Sequence, residues 1–236
     1  MTFSSAGTCS TDAPGRRRRD LPAGILARTW GLALAMVAVL ALGTGAQARV
    51  TDGDPATEAA LQQVEDWFSR TRSLKADFVQ VDDAGYTASG KLWLRRPGRV
   101  RFEYDPPVPL MIVSDGIFVM FVDKELEQVD RLPLVRSPLS ILTADEVDLR
   151  KDAEVRDVSI QGGLIHVTLA DPDSPEEGEV TLVFRDEPMA LRQWIIRDAT
   201  GKEVAVTLQD TEVNPDLPQR LFVYTDPAPG RSRNLP

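Results

Sequence analysis

The sequence predicts a mainly β fold of the α+β class, one strongly curved antiparallel sheet with a few helices. Three observations predict it. Short runs of alternating apolar and polar residues recur from Leu74 to Tyr224, separated by Gly, Pro, Asn and Asp turn signals. Helical periodicity is confined to one stretch near the start and one short apolar segment between prolines. The run Gly90 to Gly116, GKLWLRRPGRVRFEYDPPVPLMIVSDG, reads as three strands of a meander with one dry face. In its middle strand Arg99, Arg101 and Glu103 share one side, and Val100, Phe102 and Tyr104 the other.

The first element expected is a helix from about Thr57 to Arg72. Leu61, Val64, Trp67 and Phe68 recur at three- and four-residue spacing, with Glu58 early and Arg70 late, as the helix dipole favours. This stripe needs an apolar partner, which the dry face of the sheet supplies. Leu74 to Val81 alternates as the first strand, and Asp82-Asp83-Ala84-Gly85 turns it. Lys91 to Arg95 is extended. Arg96-Pro97-Gly98 is a turn, and Asp105-Pro106-Pro107 ends the next strand, since proline cannot donate to a ladder. Leu110 to Val113 follows. Ile117 to Val122 is nearly all apolar, so both its faces should be covered, and Leu126 to Leu132 is its hairpin partner.

Pro133 to Leu142 breaks the pattern. Ser137-Pro138 resembles an N-cap followed by proline at the first helical position, so a short helix is expected at Pro138 to Leu142. One turn is too short to stand alone, which makes it a candidate plug or lid held by packing. Strands resume at Ala153–Ile160, Leu164–Ala170, Glu179–Arg185, Leu191–Asp198, Glu203–Val213 and Leu221–Tyr224.

The N-terminus reads as an export signal. Arg16 to Arg19 and Arg28 are a basic lead, Trp30 to Leu42 is an apolar run of 13 residues, and Ala46-Gln47-Ala48 is a small-x-small cleavage site. Removing residues 1–48, with their five arginines and two aspartates, leaves 188 residues with 22 basic and 34 acidic, net −12. That balance does not suit binding to nucleic acid or anionic lipid surfaces through the overall field. The expected organisation is a signal at 1–48, one domain at 49–226 and a flexible polar tail at 227–236.

No catalytic constellation is visible. His166 is the only histidine, flanked by Ile165 and Val167 on a strand, and Cys9 is the only cysteine. Neither a nucleophile–base pair using histidine nor a zinc set can be built from them. The acidic groups Asp145, Glu146, Asp148 and Asp171, Asp173, Glu176, Glu177, Glu179 have no calcium-loop pattern and read as solvated loops. Neither enzyme activity, a cofactor nor a metal is expected. Arg96 differs from its basic neighbours. In strand phase it shares a side with Leu92 and Leu94, at the rim of the dry face, where an arginine needs acceptors. Carbonyls at the end of a short lid helix could supply them; a structural turn arginine is the other reading.

Taken together, Phe78-Val-Gln80, Gly90-Lys-Leu-Trp-Leu-Arg-Arg-Pro97, Phe102-x-Tyr104-x-x-Pro107, Val113-Ser-Asp-Gly116, Glu127-Gln128 and Ser137-Pro138 resemble the periplasmic outer-membrane lipoprotein carrier family, LolA. The resemblance implies an unclosed β-barrel with a helical lid over a hydrophobic cavity that takes lipoprotein acyl chains. It implies that the arginine before the Arg-Pro proline, here Arg96, latches the lid through backbone hydrogen bonds, with the lid at Ser137 to Leu142. The lid departs from the family pattern, being Leu-Ser-Ile-Leu rather than aromatic or Met-rich. The expected cavity lining is Leu61, Val64 and Phe68 of the helix, Leu92, Leu94, Val100, Phe102 and Tyr104 of the sheet, and Leu139, Ile141 and Leu142 of the lid. The implied function is a monomeric periplasmic chaperone. It would take acylated lipoproteins from an inner-membrane ABC-type release complex to an outer-membrane acceptor lipoprotein, without chemistry. A carrier of another lipid, or an envelope-stress sensor of lipoproteins on the same fold, stays open as an alternative.

Overall fold

The computed structural model describes residues 53–225 and 233–234; the expected signal and its cleavage site lie outside the described residues. The first element, α1, spans Pro55–Arg70. It starts two residues before the periodic stripe because Asp54 caps it, accepting from the Ala56 amide, with Pro55 at the first position. Ala60, Leu61, Val64, Trp67 and Phe68 form its buried face.

Six strands follow as an antiparallel meander: β1 (Ser73–Asp82), β2 (Thr87–Arg95), β3 (Arg99–Tyr104), β4 (Leu110–Asp115), β5 (Phe118–Asp123) and β6 (Gln128–Pro133). Five more form a second meander: β7 (Glu154–Gln161), β8 (Leu164–Ala170), β9 (Gly178–Arg185), β10 (Ala190–Asp198) and β11 (Glu203–Val213). Antiparallel pairing of β1 with β11, Phe78 opposite Leu208, fuses the two meanders. A two-residue strand, β12 (Arg233–Asn234), adds to β6 in parallel. The strand order is β12-β6-β5-β4-β3-β2-β1-β11-β10-β9-β8-β7, and its ends do not pair, so the barrel is unclosed.

The segment joining β6 to β7 runs from one end of this order to the other, and therefore across the open side. It contains a 3₁₀ turn (Leu134–Arg136), α2 (Ser140–Thr143) and α3 (Leu149–Asp152). One contiguous core lies between α1, this segment and the concave face of both meanders. Its aromatic rings meet edge-on: Trp67 and Phe184 at 5.1 Å, Phe78 and Tyr104 at 5.1 Å, Phe102 and Trp194 at 6.1 Å. Gly90 is required where Phe78 crosses it, since a Cβ there would meet the Phe78 ring at 2.8 Å and the Glu103 carbonyl at 2.2 Å.

The outer face of β4, β5 and β6 carries a second apolar cluster, Met111, Val113, Met120, Val122 and Val129, with Tyr224 packed on it. This resolves the phase of the apolar strand: Val119 and Phe121 face the main core, and Met120 and Val122 the outer cluster. Both faces are covered from Val119 to Val122, while Ile117 and Phe118 at its start are exposed.

Several expectations are corrected. Leu221–Tyr224 is not a strand. Leu221 donates from its amide to the Pro218 carbonyl at 3.1 Å, closing a 3₁₀ turn at Gln219–Phe222 that buries Phe222. Arg95 donates to the Leu217 carbonyl at 2.8 Å and Arg101 to that of Leu221 at 3.3 Å, so these arginines hold the C-terminal segment. Of the expected flexible tail, Arg233 and Asn234 pair with β6; residues 226–232 and 235–236 lie outside the described residues. The lid's regular turn begins at Ser140, not Pro138, because the 3₁₀ turn before it takes up the chain from the β6 edge. The helix α3 has no apolar period in its four residues and is set by the Asp148 cap, whose side chain accepts from the Lys151 amide.

Candidate functional site

Arg96 follows the last residue of β2 and is 6% exposed. Strand phase turns it inward after Leu92 and Leu94, and the Arg96-Pro97-Gly98 turn brings it beneath the end of the lid. Its Nε donates to the Ala144 carbonyl at 2.5 Å and one Nη to the Asp145 carbonyl at 2.9 Å. The other Nη donates to the Thr71 carbonyl at 3.1 Å and to that of Phe68. The guanidinium also stands 5.2 Å from the Phe68 ring centroid. Arg96 thus joins the C-terminus of α1, where carbonyls lack helical partners, to the C-terminus of the lid. Burial lowers its pKa, with the Arg72 charge adding to this and Asp145 opposing; arginine remains charged at neutral pH all the same.

The neighbouring contacts share this geometry. The Gly98 amide donates to the Thr143 carbonyl at 2.7 Å, and the Ser114 hydroxyl to the Gly98 carbonyl at 2.8 Å. Gly98 has φ +74°, and a Cβ on it would lie 2.6 Å from the Gly116 Cα, so the turn needs glycine. Arg72 reaches Asp145 through its carbonyl at 3.1 Å and its carboxylate at 2.9 Å. Farther along, Glu65 accepts from the Leu149 amide at 2.8 Å, and Glu58 pairs with Arg150. The lid's far end is therefore fixed to α1.

The expected lining residues lie together, but in a packed region. Leu61, Val64, Phe68, Leu92, Leu94, Val100, Phe102, Tyr104, Leu139 and Leu142 are all buried in the main core, and Ile141 packs against it half-buried. Tyr104 donates its hydroxyl to Gln80 at 2.7 Å, and burial pushes its pKa up to about 12. Open space borders this packed region, between the lid and the second meander. A cleft of about 430 Å³ separates the lid from the ends of β8, β9 and β10, within the usual range of small-ligand sites. Ile141, Val135, Leu169, Val180 and Ile196 give it apolar walls. Of the expected lining only Ile141 reaches it. For Leu169 the signal was the alternation Ile165, Val167, Leu169, which fixes the inward side of β8. His166 itself is half-buried on the other face, with its pKa lowered by burial.

This lidded half-barrel has relatives. The profile of the family described as outer membrane lipoprotein carrier protein LolA matches residues 69–225. An outer-membrane lipoprotein carrier protein of Chromohalobacter salexigens is 32% identical over 209 residues, covering 85% of this chain and 95% of that one. The chain belongs to the LolA family. A second LolA relative, from Dechloromonas aromatica and of the same description, is 31% identical over 180 residues, covering 72% of this chain and 85% of its own. Among solved structures, that of a LolA superfamily protein from Nitrosomonas europaea is 12% identical and covers 71% of this chain and 97% of its own, with a TM-score of 0.43.

Proposed function

We propose that this protein is a periplasmic carrier that shelters the acyl chains of lipoproteins between the inner and outer membranes. Membership of the LolA family supports the carrier role. The structural observation that carries the reading is a lid bonded by the buried Arg96 over an apolar half-barrel with an apolar-walled cleft of about 430 Å³. Each acyl CH₂ removed from water contributes about 0.8 kcal/mol, so a lipoprotein does not leave a membrane without an apolar host. An imperfectly filled cleft and a lid closed by polar bonds let that host open without unfolding. The eleven residues named above line the site in the opened form, when the lid carrying Leu139, Ile141 and Leu142 lifts from the rest of the core. Transfer needs no bond chemistry and no cofactor. An inner-membrane ABC-type complex loads the carrier, an outer-membrane lipoprotein receives the cargo, and the carrier acts as a monomer.

The test is release from a membrane. Inner-membrane vesicles bearing a tagged triacylated lipoprotein and its release complex are energised with ATP in the presence of the purified protein. The expected result is a soluble one-to-one complex of carrier and lipoprotein. Cargo that still sediments with the vesicles, while an established carrier releases it, would overturn the reading.

A further inference from the structure

The cleft beside the lid has apolar walls and an acidic mouth. Asp171, Asp173 and Glu177 come from the β8–β9 loop, Asp152 from the end of α3 and Asp198 from the end of β10. These carboxylates are exposed. Among the described residues Asp171, Asp173 and Glu177 enter no ion pair. The basic residues of the lining are Arg136 and Arg197. Arg197 is held by Glu179 at 3.1 Å and by Glu203, and Arg136 is exposed, so the carboxylates of the lining, Asp152, Asp171, Asp173, Glu177, Glu179 and Asp198, outnumber its two arginines.

We propose that this acidic mouth makes the carrier discriminate by head group, admitting single-chain or multi-chain amphiphiles with a neutral or cationic polar end and disfavouring anionic lipids. The inference rests on the reading of the cleft as an acyl site, and the cleft itself, not the charge, makes the site. An acyl chain inserted past Ile141, Leu169 and Ile196 leaves its polar end at the mouth, because that end cannot enter the apolar interior without losing its hydration. There it stands within one Debye length, about 8 Å at physiological salt, of carboxylates from three separate segments. Low-dielectric walls focus such a field. A phosphate carrying a net negative charge is repelled, whereas a zwitterionic head group or the polypeptide of an acylated protein is not.

The full chain, expressed with its own N-terminal segment and purified, is titrated with lysophosphatidylcholine and lysophosphatidylglycerol of equal chain length, below micelle formation. The expected result is several-fold tighter binding of the zwitterionic lipid at low salt, with the gap closing at high salt. The triple variant Asp171→Lys, Asp173→Lys, Glu177→Lys should invert the preference. Equal affinity for the two lipids at low salt, or a preference insensitive to salt, overturns the filter even if the variant fails to fold. Binding of neither lipid by the parent protein overturns the acyl reading of the cleft, and the filter with it.

Discussion

Arg96 donates to carbonyls at the ends of two elements far apart in sequence, Phe68 and Thr71 of α1 and Ala144 and Asp145 of the lid. Replacing it by leucine leaves those acceptors without their charged donor, at a cost of about 1.5–3 kcal/mol, offset in part by the added apolar surface. In the carrier reading the cost falls on the closed, empty form. Arg96→Leu should therefore still load cargo but deliver or recycle it poorly, and normal transfer to the acceptor by this variant would remove Arg96 as a latch. Tyr104 makes a second prediction at this scale. Its folded pKa is raised to about 12 by burial, above the unfolded value of about 10. The folded state thus holds its proton longer, and this contribution is full below pH 10 and is lost as pH rises toward 12. Thermal stability should fall across that window, and Tyr104→Phe should flatten the fall; an unchanged slope in the variant would mean that another group controls it.

At the scale of elements, the lid segment is fixed at one end and bonded through polar contacts at the other. Its Leu149 end is held by Glu65 and by the Glu58–Arg150 pair, and Leu149 is completely buried. Glu65→Ala removes the carboxylate that accepts from the Leu149 amide. It should cost about 1 kcal/mol and speed hydrogen exchange at Leu149 more than at residues of α1; equal effects on both would argue that Glu65 supports α1 alone. The outer strands show the same logic of cover. Met111, Val113, Met120 and Val122 make an apolar outer face that a polar-out strand would lack, and the C-terminal segment lies across it through the bonds from Arg95 and Arg101.

For the molecule as a whole, the joint between β1 and β11 decides the mechanics. It unites two meanders whose strands are otherwise all sequence neighbours. The core crosses the joint, with Phe78 of β1 touching Phe102 and Tyr104 at ring distances of 5.4 and 5.1 Å, and Phe102 touching Trp194 of β10 at 6.1 Å. Hydrogen exchange followed by mass spectrometry should find β1 and β11 slowest, with β7 at one end of the order and β12 and β6 at the other exchanging earlier. An order with β7 as slow as β1 would contradict the central role of the joint and point to a closed barrel in solution.

The sequence by itself determined most of the strands, the inward side of β2 and β3 and the inward turn of Arg96. Period-two alternation is a local property, and it names the inward side of β2 and β3 without knowledge of any partner. Proline and glycine punctuation set the turns for similar reasons, and strand phase alone turned Arg96 inward. Where cover came from distant residues the local pattern failed: Leu221–Tyr224 is the apolar Leu-Phe-Val-Tyr run of a strand, yet Leu221 and Phe222 end a 3₁₀ turn and Tyr224 packs on an apolar outer face. The tertiary structure decided the pairing of β1 with β11, the path of the lid across the open side, and the position of the open space. A cavity is the volume that packed side chains leave unfilled, and here those side chains belong to β8, β9, β10 and the lid. Their meeting depends on how far the sheet curves, so the expected lining became filled core while the cleft opened beside Ile141.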